Sequence, residues 1–173
     1  MRNPQSEIRN RGERGMVEVT LDELLVDQTG HSPIVILKEI RGERKLPIWI
    51  GPAEAYAISV ELDGRHAKRP LTHDLFVNLL TGVGAKVIKV VVSDVVEGIF
   101  YGQLFVQAGA HIAKIDARPS DCIALALRAK APIYVAKKVM GEDGGQGKEG
   151  GSAQELRDRL RKIAPEDFGK MDL

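Results

Sequence analysis

The chain has 173 residues, and 25 lysines and arginines nearly balance 24 aspartates and glutamates, which leaves a net charge of +1. This length suits one compact domain with a sizeable core and is too short for two large ones. A near-neutral protein lacks the overall field that draws basic proteins to nucleic acid, so nucleic-acid binding would need a local basic patch. A single cysteine, Cys122, excludes a disulfide framework and favours a reducing compartment.

The chain carries no sign of a membrane or secretory segment. No apolar run approaches the roughly 20 residues that a spanning helix needs, and residues 1–15 lack the apolar stretch of a signal peptide. We therefore expect a cytoplasmic protein without membrane contact. Residues 1–15 are polar and charged, which predicts a disordered arm.

The ordered domain is predicted to span residues 16–140, beginning with strands. Apolar and polar residues alternate from Val17 onward, as in a half-buried strand, and turn residues follow at 27–33. Pro47 cannot donate to a strand ladder, so the third strand is expected at a sheet edge. The predicted strands lie near residues 17–21, 34–40, 45–50, 87–93, 99–106, 111–115 and 132–139.

Three core helices are predicted among these strands. The first opens at Gly51-Pro52, with proline at the first helical position, and ends at residues 63–64. The second starts with Thr72 as its N-cap. The third covers about residues 120–130. Apolar residues at helical spacing predict a buried stripe on the second helix, formed by Leu75, Phe76, Leu79, Leu80 and Val83.

The element order is therefore β-β-β-α-α-β-β-β-α-β, in which strands come in groups. This order is typical of a single α+β domain with a mixed or mostly antiparallel sheet. Residues 141–152 are Gly-rich and predict a flexible linker. Residues 153–173 predict a short charged helix and tail, which would dock on the domain or on a partner.

Residues 69–75 form the first of two polar corners at a helix start. His73 can act as a general base, Asp74 can bind a metal, and Arg69 can hold a phosphate or carboxylate near the free N–H groups. The alternative is a well-capped helix, in which Thr72 is the cap and Asp74 interacts with the helix dipole.

Residues 116–121 form the second corner, where a strand passes into the third helix. Arg118 can bind phosphate, and the carboxylates of Asp116 and Asp121 lie near one strand-to-helix junction. Here too a structural reading stays open, with Ser120 as an N-cap and an ion pair between Asp116 and Arg118 fixing the loop.

The two corners repeat one layout: arginine, proline, a hydroxyl residue, then an acid in the first helical turn. Clustered carboxylates with histidine suit Mg²⁺ or Mn²⁺. Arginines beside such an ion suit a phosphate ester. Asp74 and Asp121 would repel a bare phosphate, which favours binding through a metal.

Other residues carry weaker signals. Glu54 begins another helix and is a further candidate metal ligand. Trp49 and Tyr56 are interpreted as packing residues rather than as base-stacking ones. Cys122 is followed by an apolar helical stripe, which indicates a buried small hydrophobic residue.

The sequence resembles the bifunctional nuclease domain family over nearly the whole predicted domain. The matching segments are LPIWIG at 46–51, EAYAI at 54–58, RPLTHDL at 69–75, DARPSD at 116–121 and PIYV at 132–135. The resemblance implies an α+β domain, commonly dimeric, with nuclease activity on DNA and RNA. The motif residues carried over by position are Arg69, Thr72, His73, Asp74, Asp116, Arg118, Ser120 and Asp121, with Glu54 as an outlier. Residues 154–168 share only part of the UVR motif of excision-repair proteins, too little for an assignment.

The leading hypothesis is a metal-dependent nuclease. The expected metal ligands are the carboxylates Asp74, Asp116, Asp121 and, more weakly, Glu54. His73 would act as the base with these acids as catalytic partners, Arg69 and Arg118 would clamp the phosphate, and Thr72 and Ser120 would contact the substrate. The alternative is a non-catalytic ligand-binding or protein-interaction domain, with a homodimer expected in either case. A third interpretation is a regulatory partner of repair or stress proteins, acting through the charged C-terminal helix.

Overall fold

The structure is a computed structural model, and it describes residues 15–25, 33–65 and 67–141. The predicted N-terminal arm, the Gly-rich linker and the C-terminal helix lie almost entirely outside these residues. Most of the predicted turn at residues 27–33 lies outside them as well.

The described chain follows the predicted order of strands and helices. The elements are β1 (Met16–Leu25), β2 (Ile34–Glu39), β3 (Lys45–Trp49), α1 (Pro52–Leu62), α2 (Thr72–Gly82), β4 (Ala85–Val96), β5 (Ile99–Ala108), β6 (His111–Ala117), α3 (Pro119–Ala129), β7 (Ile133–Ala136) and α4 (Lys137–Met140).

The end of the domain differs from the prediction. The last strand stops at Ala136 rather than near residue 139, and the helical turn α4 follows it. Val139 and Met140 are adjacent and both buried, which fits a helical turn rather than a strand with alternating faces. The predicted α+β class, with a mixed sheet, is confirmed.

The seven strands form one sheet in the order β3-β2-β1-β7-β4-β5-β6. All neighbouring pairs are antiparallel except β7 and β4, which are parallel. The edge position predicted from Pro47 is confirmed, since β3 is the first strand of the sheet. The hairpin predicted between β4 and β5 is confirmed too, and Glu97 and Gly98 both adopt positive φ angles, of 52° and 81°, as tight hairpin turns require.

The core lies where α3 packs against the sheet. This helix contacts β4 and β5 and is flanked by α1 and α2. Its Cys122 and Ile123 are fully buried among the valines and leucines of the strands. Because α3 contacts both other long helices, it fixes where their first turns lie relative to one another. None of the helices in the described part of the chain is long and apolar enough to cross a bilayer.

The predicted buried stripe on α2 is wrong for most of its members. Leu75 and Leu79 are each 61% exposed and Val83 is 68% exposed, while Val77 and Leu80 pack partly against the core. The helix has apolar residues on two sides, and only one side can face α3 and β4. Helical periodicity shows that a face is apolar but does not show which face the rest of the chain covers.

Candidate functional site

Three helix starts bring acidic side chains into the same part of the molecule. Glu54 in α1, Asp74 in α2 and Asp121 in α3 each lie in the first turn of their helix, where the helix dipole favours a negative charge. The two corners predicted from the sequence are therefore joined by a third, at Glu54. Gly51, the N-cap of α1, leaves the space that the Glu54 carboxylate occupies.

Arg118 links two of these acids. Its Nη1 donates to Oε1 of Glu54 at 2.6 Å, and its Nε and Nη2 donate to the two carboxylate oxygens of Asp121 at 2.7 and 3.1 Å. The hydrogen bonds to Asp121 are the main cause that raises the pKa of Arg118. Three of its five N–H groups are used in this way, and the side chain remains 65% exposed. Two donors are thus free to bind an anion from solvent.

His73, which lies in α2, contacts the carboxylate of Asp121 as well. Its Nε2 lies 3.3 Å from Oδ1 of Asp121, the oxygen that Arg118 also contacts. Burial alone would raise the pKa of Asp121, but the hydrogen bonds from Arg118 and His73 outweigh it and lower that pKa. An ionised carboxylate only accepts hydrogen bonds, so Nε2 is the donor and Nδ1 is the nitrogen left for chemistry.

Asp74 pairs with a different arginine, Arg128. Nε of Arg128, in the last turn of α3, donates to Oδ1 of Asp74 at 2.5 Å, and the backbone N–H of Leu71 donates to Oδ2 at 2.8 Å. Arg128 also donates to the carbonyl of Ala57 in α1 and is only 4% exposed. The sequence analysis did not single out Arg128. A positively charged residue at the end of the apolar run of α3 is nevertheless a signal that could have identified it.

The two predicted N-caps are corrected by the structure. Leu71 is the N-cap of α2 and Thr72 is its first residue. Arg118 is the N-cap of α3, followed by Pro119 and then Ser120. In α3, proline suits the first helical position because its missing N–H has no partner there, and the cap therefore lies two residues before the predicted Ser120. Thr72 is exposed, whereas Ser120 is 6% exposed.

The side chains that these bonds connect form a polar cluster: Glu54, His73, Asp74, Arg118, Asp121 and Arg128. Asp116 makes no bond to this cluster. It is exposed, pairs in register with Gln103, and makes no hydrogen bond or ion pair with residues that the structure describes. A Cβ on the next register position, Gly102, would touch Cys122 of α3, so α3 covers that face. Side chains alternate along a strand, and Asp116 therefore lies on the opposite face. Arg69 is exposed as well, without a described partner.

The described acids do not offer a ready-made metal site. No group of three or more histidine, cysteine, aspartate or glutamate side chains lies close enough together within residues 15–25, 33–65 and 67–141. Each acid of the cluster already has an arginine: Glu54 and Asp121 share Arg118, and Asp74 binds Arg128. A metal ion would have to displace a guanidinium from this arrangement.

An open groove of about 400 Å³ lies beside the cluster. Its walls are residues 48–51, 98–100 and 118–120, together with Glu54. Arg118 belongs to both the cluster and the groove, so a ligand in the groove would contact its guanidinium. Sequence reasoning did not find the groove, because its three walls come from distant parts of the chain.

Three further residues were predicted as packing or buried residues. Trp49 and Tyr56 are instead 44% and 58% exposed, since Trp49 follows the buried Ile48 on an edge strand and Tyr56 lies on the outer side of α1. Cys122 is buried as predicted, and burial, aided by the negative charges of Asp121 and Asp116, raises its pKa to about 12. A thiol with so high a pKa is a poor nucleophile at neutral pH.

Comparison with known proteins places this sequence in a family. The sequence model described as "Bifunctional nuclease domain" matches residues 35–147, which include every side chain of the cluster. The chain belongs to the bifunctional nuclease domain family. An uncharacterized protein of Mycobacterium tuberculosis from this comparison is 42% identical over 129 residues, which are 75% of this chain and 77% of the relative.

Plant proteins of the family are more distant. Bifunctional nuclease 2 of rice (Oryza sativa subsp. japonica) is 26% identical, and Bifunctional nuclease 1 of Arabidopsis thaliana is 28% identical, each over 123 residues. The matched region is 69% of this chain but only 38% of either plant protein. The bifunctional nuclease domain is thus the part that these proteins share with the chain.

Proposed function

We propose that this domain is a nuclease that hydrolyses phosphodiester bonds in DNA, RNA or both. One observation carries the proposal: Arg118 and His73 converge on the same oxygen of Asp121, next to an open groove. Membership of the bifunctional nuclease domain family and the names of its plant relatives support it.

The chemistry assigned to the chain's own residues is simple. Arg118 binds a non-bridging oxygen of the phosphodiester through its two free donors, which places positive charge where negative charge develops. Nδ1 of His73 takes a proton from the attacking water, and Asp121 stabilises the resulting imidazolium. A bond forms between the water oxygen and phosphorus, the ester P–O bond breaks, and the leaving oxygen takes a proton from solvent.

Dependence on Mg²⁺ or Mn²⁺ is a separate part of the proposal. A divalent ion would neutralise the phosphate and activate water. The acids that would hold it are Glu54 and Asp121, which would have to release Arg118 to do so, and Asp116 and Asp74 stay predictions for this role.

The test is a cleavage assay on labelled single-stranded DNA and RNA, with and without chelator. We expect His73→Ala to slow cleavage by about 10²-fold or more, the usual contribution of a general base, and Arg118→Gln to weaken substrate binding. The matched controls are His111→Ala, an exposed histidine on β6, and Arg65→Gln, an exposed arginine paired with Asp63; both should cleave normally. The variant Asp116→Asn tests separately whether Asp116 contributes to cleavage.

The outcomes separate the two functions. Cleavage that persists at the same rate in the His73 and Arg118 variants means that a contaminant or another site is responsible. Absence of cleavage in the unmodified protein favours the alternative, a non-catalytic ligand-binding or protein-interaction domain. The pairing of Arg118 and Arg128 with acids is the observation that favours this alternative.

We infer in addition that the protein is a homodimer joined through α2. Leu75, Phe76, Leu79 and Val83 form a contiguous apolar face on this helix, and no described residue covers it. Such a face on a monomer marks an interaction surface. A cytoplasmic location belongs to the proposal as well, supported by the lone, buried Cys122.

A further inference from the structure

The groove beside the cluster contains the only tryptophan of the chain. Trp49 is 44% exposed at the end of β3, and Ile99, at the tip of the β4–β5 hairpin, is 61% exposed on another wall. Large apolar side chains left this open to solvent beside a polar cluster indicate a surface that a ligand covers. Its volume of about 400 Å³ lies in the range of small-molecule sites.

The groove has few polar groups, and they include both hydrogen-bond donors and hydrogen-bond acceptors. Arg118 supplies free N–H donors, the Glu54 carboxylate supplies acceptor oxygens, and Ser120 supplies a hydroxyl group. An exposed indole ring with a small set of donors and acceptors beside it matches the face and edge of a heterocyclic base. An apolar peptide side chain would use the apolar groups of the groove but not the polar ones.

The neighbouring sheet edge also disfavours a peptide. A peptide that binds by strand addition pairs with the free N–H groups of an edge strand. The edge strand here is β3, in which Pro47 has no N–H to offer. Strand addition next to the groove would therefore lose a ladder hydrogen bond.

We propose that this groove binds one unpaired nucleobase of a single strand, stacked on the indole of Trp49, while a phosphate of the same strand contacts Arg118. The inference rests on the proposed function and deepens it, because it names single-stranded nucleic acid as the substrate class. It also gives a reason for weak sequence preference, since every base has a face that can stack on an aromatic ring.

The single tryptophan makes the proposal directly measurable. Trp49 emission is followed while the full chain is titrated with a short oligothymidylate and, separately, with an abasic strand of equal length and equal phosphate number. We expect quenching by the oligothymidylate and little change with the abasic strand. Anisotropy of an end-labelled strand reports binding independently of the tryptophan.

Variants separate stacking from folding. Trp49→Ala should weaken binding of the labelled oligothymidylate about tenfold or more, the usual effect of losing a base–aromatic stack, and Trp49→Phe should restore most of it. Tyr56→Ala is the matched control, an exposed aromatic residue on α1 outside the groove, and should bind normally. Ile99→Asp, on another wall, gives a second variant if Trp49→Ala does not fold.

Several results would overturn the proposal. If the labelled strand binds but Trp49 emission stays unchanged and Trp49→Ala binds equally well, the nuclease proposal survives and the base site does not. Equal quenching by the abasic strand means that only phosphates are recognised. Emission that changes with protein concentration but not with nucleic acid assigns the groove to protein contacts. Absence of strand binding in every form of the protein contradicts the nuclease proposal itself.

Discussion

Gly102 lies in β5, at a point where the first turn of α3 closely approaches the sheet. A Cβ at this position would lie 2.7 Å from the carbonyl oxygen of Ala117 and 2.9 Å from Sγ of Cys122. The backbone oxygen and the buried sulfur atom cannot move away from such a Cβ without a substantial cost in free energy. The start of α3, and with it Arg118, lies this close to the sheet because residue 102 has no side chain.

We therefore expect Gly102→Ala to lower the free energy of unfolding by about 1–3 kcal/mol, the usual cost of overpacking. It should also shift the start of α3 and so weaken phosphate binding by Arg118. Urea unfolding at neutral pH measures the first effect. A matched control is Gly82→Ala, where no atom lies within 4 Å of the added Cβ, and where the loss of backbone freedom in the unfolded chain should leave stability equal or higher. Equal stabilities for the two variants would contradict this account.

At the scale of single elements, α2 has one side that packs on the domain and another side that is exposed. Its His73 side faces Asp121 of α3, while Leu79 and Val83 point away from the described part of the domain. If this outer face is the dimer contact, Leu79→Glu should place a charge in an apolar interface. We expect the dissociation constant of the dimer to rise at least tenfold, measured by sedimentation velocity over a range of protein concentrations.

The control for this prediction is Asn78→Glu, an exposed polar residue of the same helix. It should leave both the dimer and the thermal stability unchanged. Leu79→Glu should keep the thermal stability of the monomer because the leucine is already largely exposed. A protein that sediments as a monomer before any substitution rules out the interface.

Local patterns predicted the elements well. Alternation along β1, proline at the start of α1 and the glycine turn after β4 each depend on residues within one or two turns of chain. Pro47 even placed β3 at the sheet edge. The exposed face of α2 was missed because coverage of a face depends on distant elements, which periodicity does not report.

The candidate site was predicted in part. His73, Arg118 and Asp121 come together as the repeated helix-start layout indicated. The bond from Arg118 to Glu54 joins residues 64 positions apart, and no spacing rule anticipates it. Asp116 was grouped with Asp121 by sequence distance, whereas the register of β6 separates their side chains.

For the whole molecule, the paired acids predict how stability depends on pH. The pKa of Asp74 is lowered because the hydrogen bonds from Arg128 and Leu71 outweigh the burial that would raise it, and the pKa of Asp121 is lowered in a similar way. A carboxyl group whose pKa is lowered in the folded state stabilises the fold above its unfolded pKa of about 3.9. That stabilisation is lost as the pH falls through the folded pKa.

We expect the free energy of unfolding to fall between about pH 5 and about pH 3, measured by urea denaturation across this range. Asp74→Asn should be less stable at neutral pH, because the buried Arg128 loses its charged partner, and should show a weaker dependence on acid. A variant with the same slope as the unmodified protein would mean that the ion pair between Asp74 and Arg128 does not contribute.

The position of β7 has a consequence for the order of folding. This four-residue strand is the last of the described chain, yet it lies in the middle of the sheet, between β1 and β4. Until it is in place, the strands β1–β3 and β4–β6 are two separate antiparallel units, each with an unpaired inner edge. During synthesis both units must therefore wait, with those edges open, until residue 136 has left the ribosome. Contacts between residues so far apart in sequence slow folding. While the two inner edges are still unpaired, they can pair with other chains, and a molecular chaperone would be most useful at this stage.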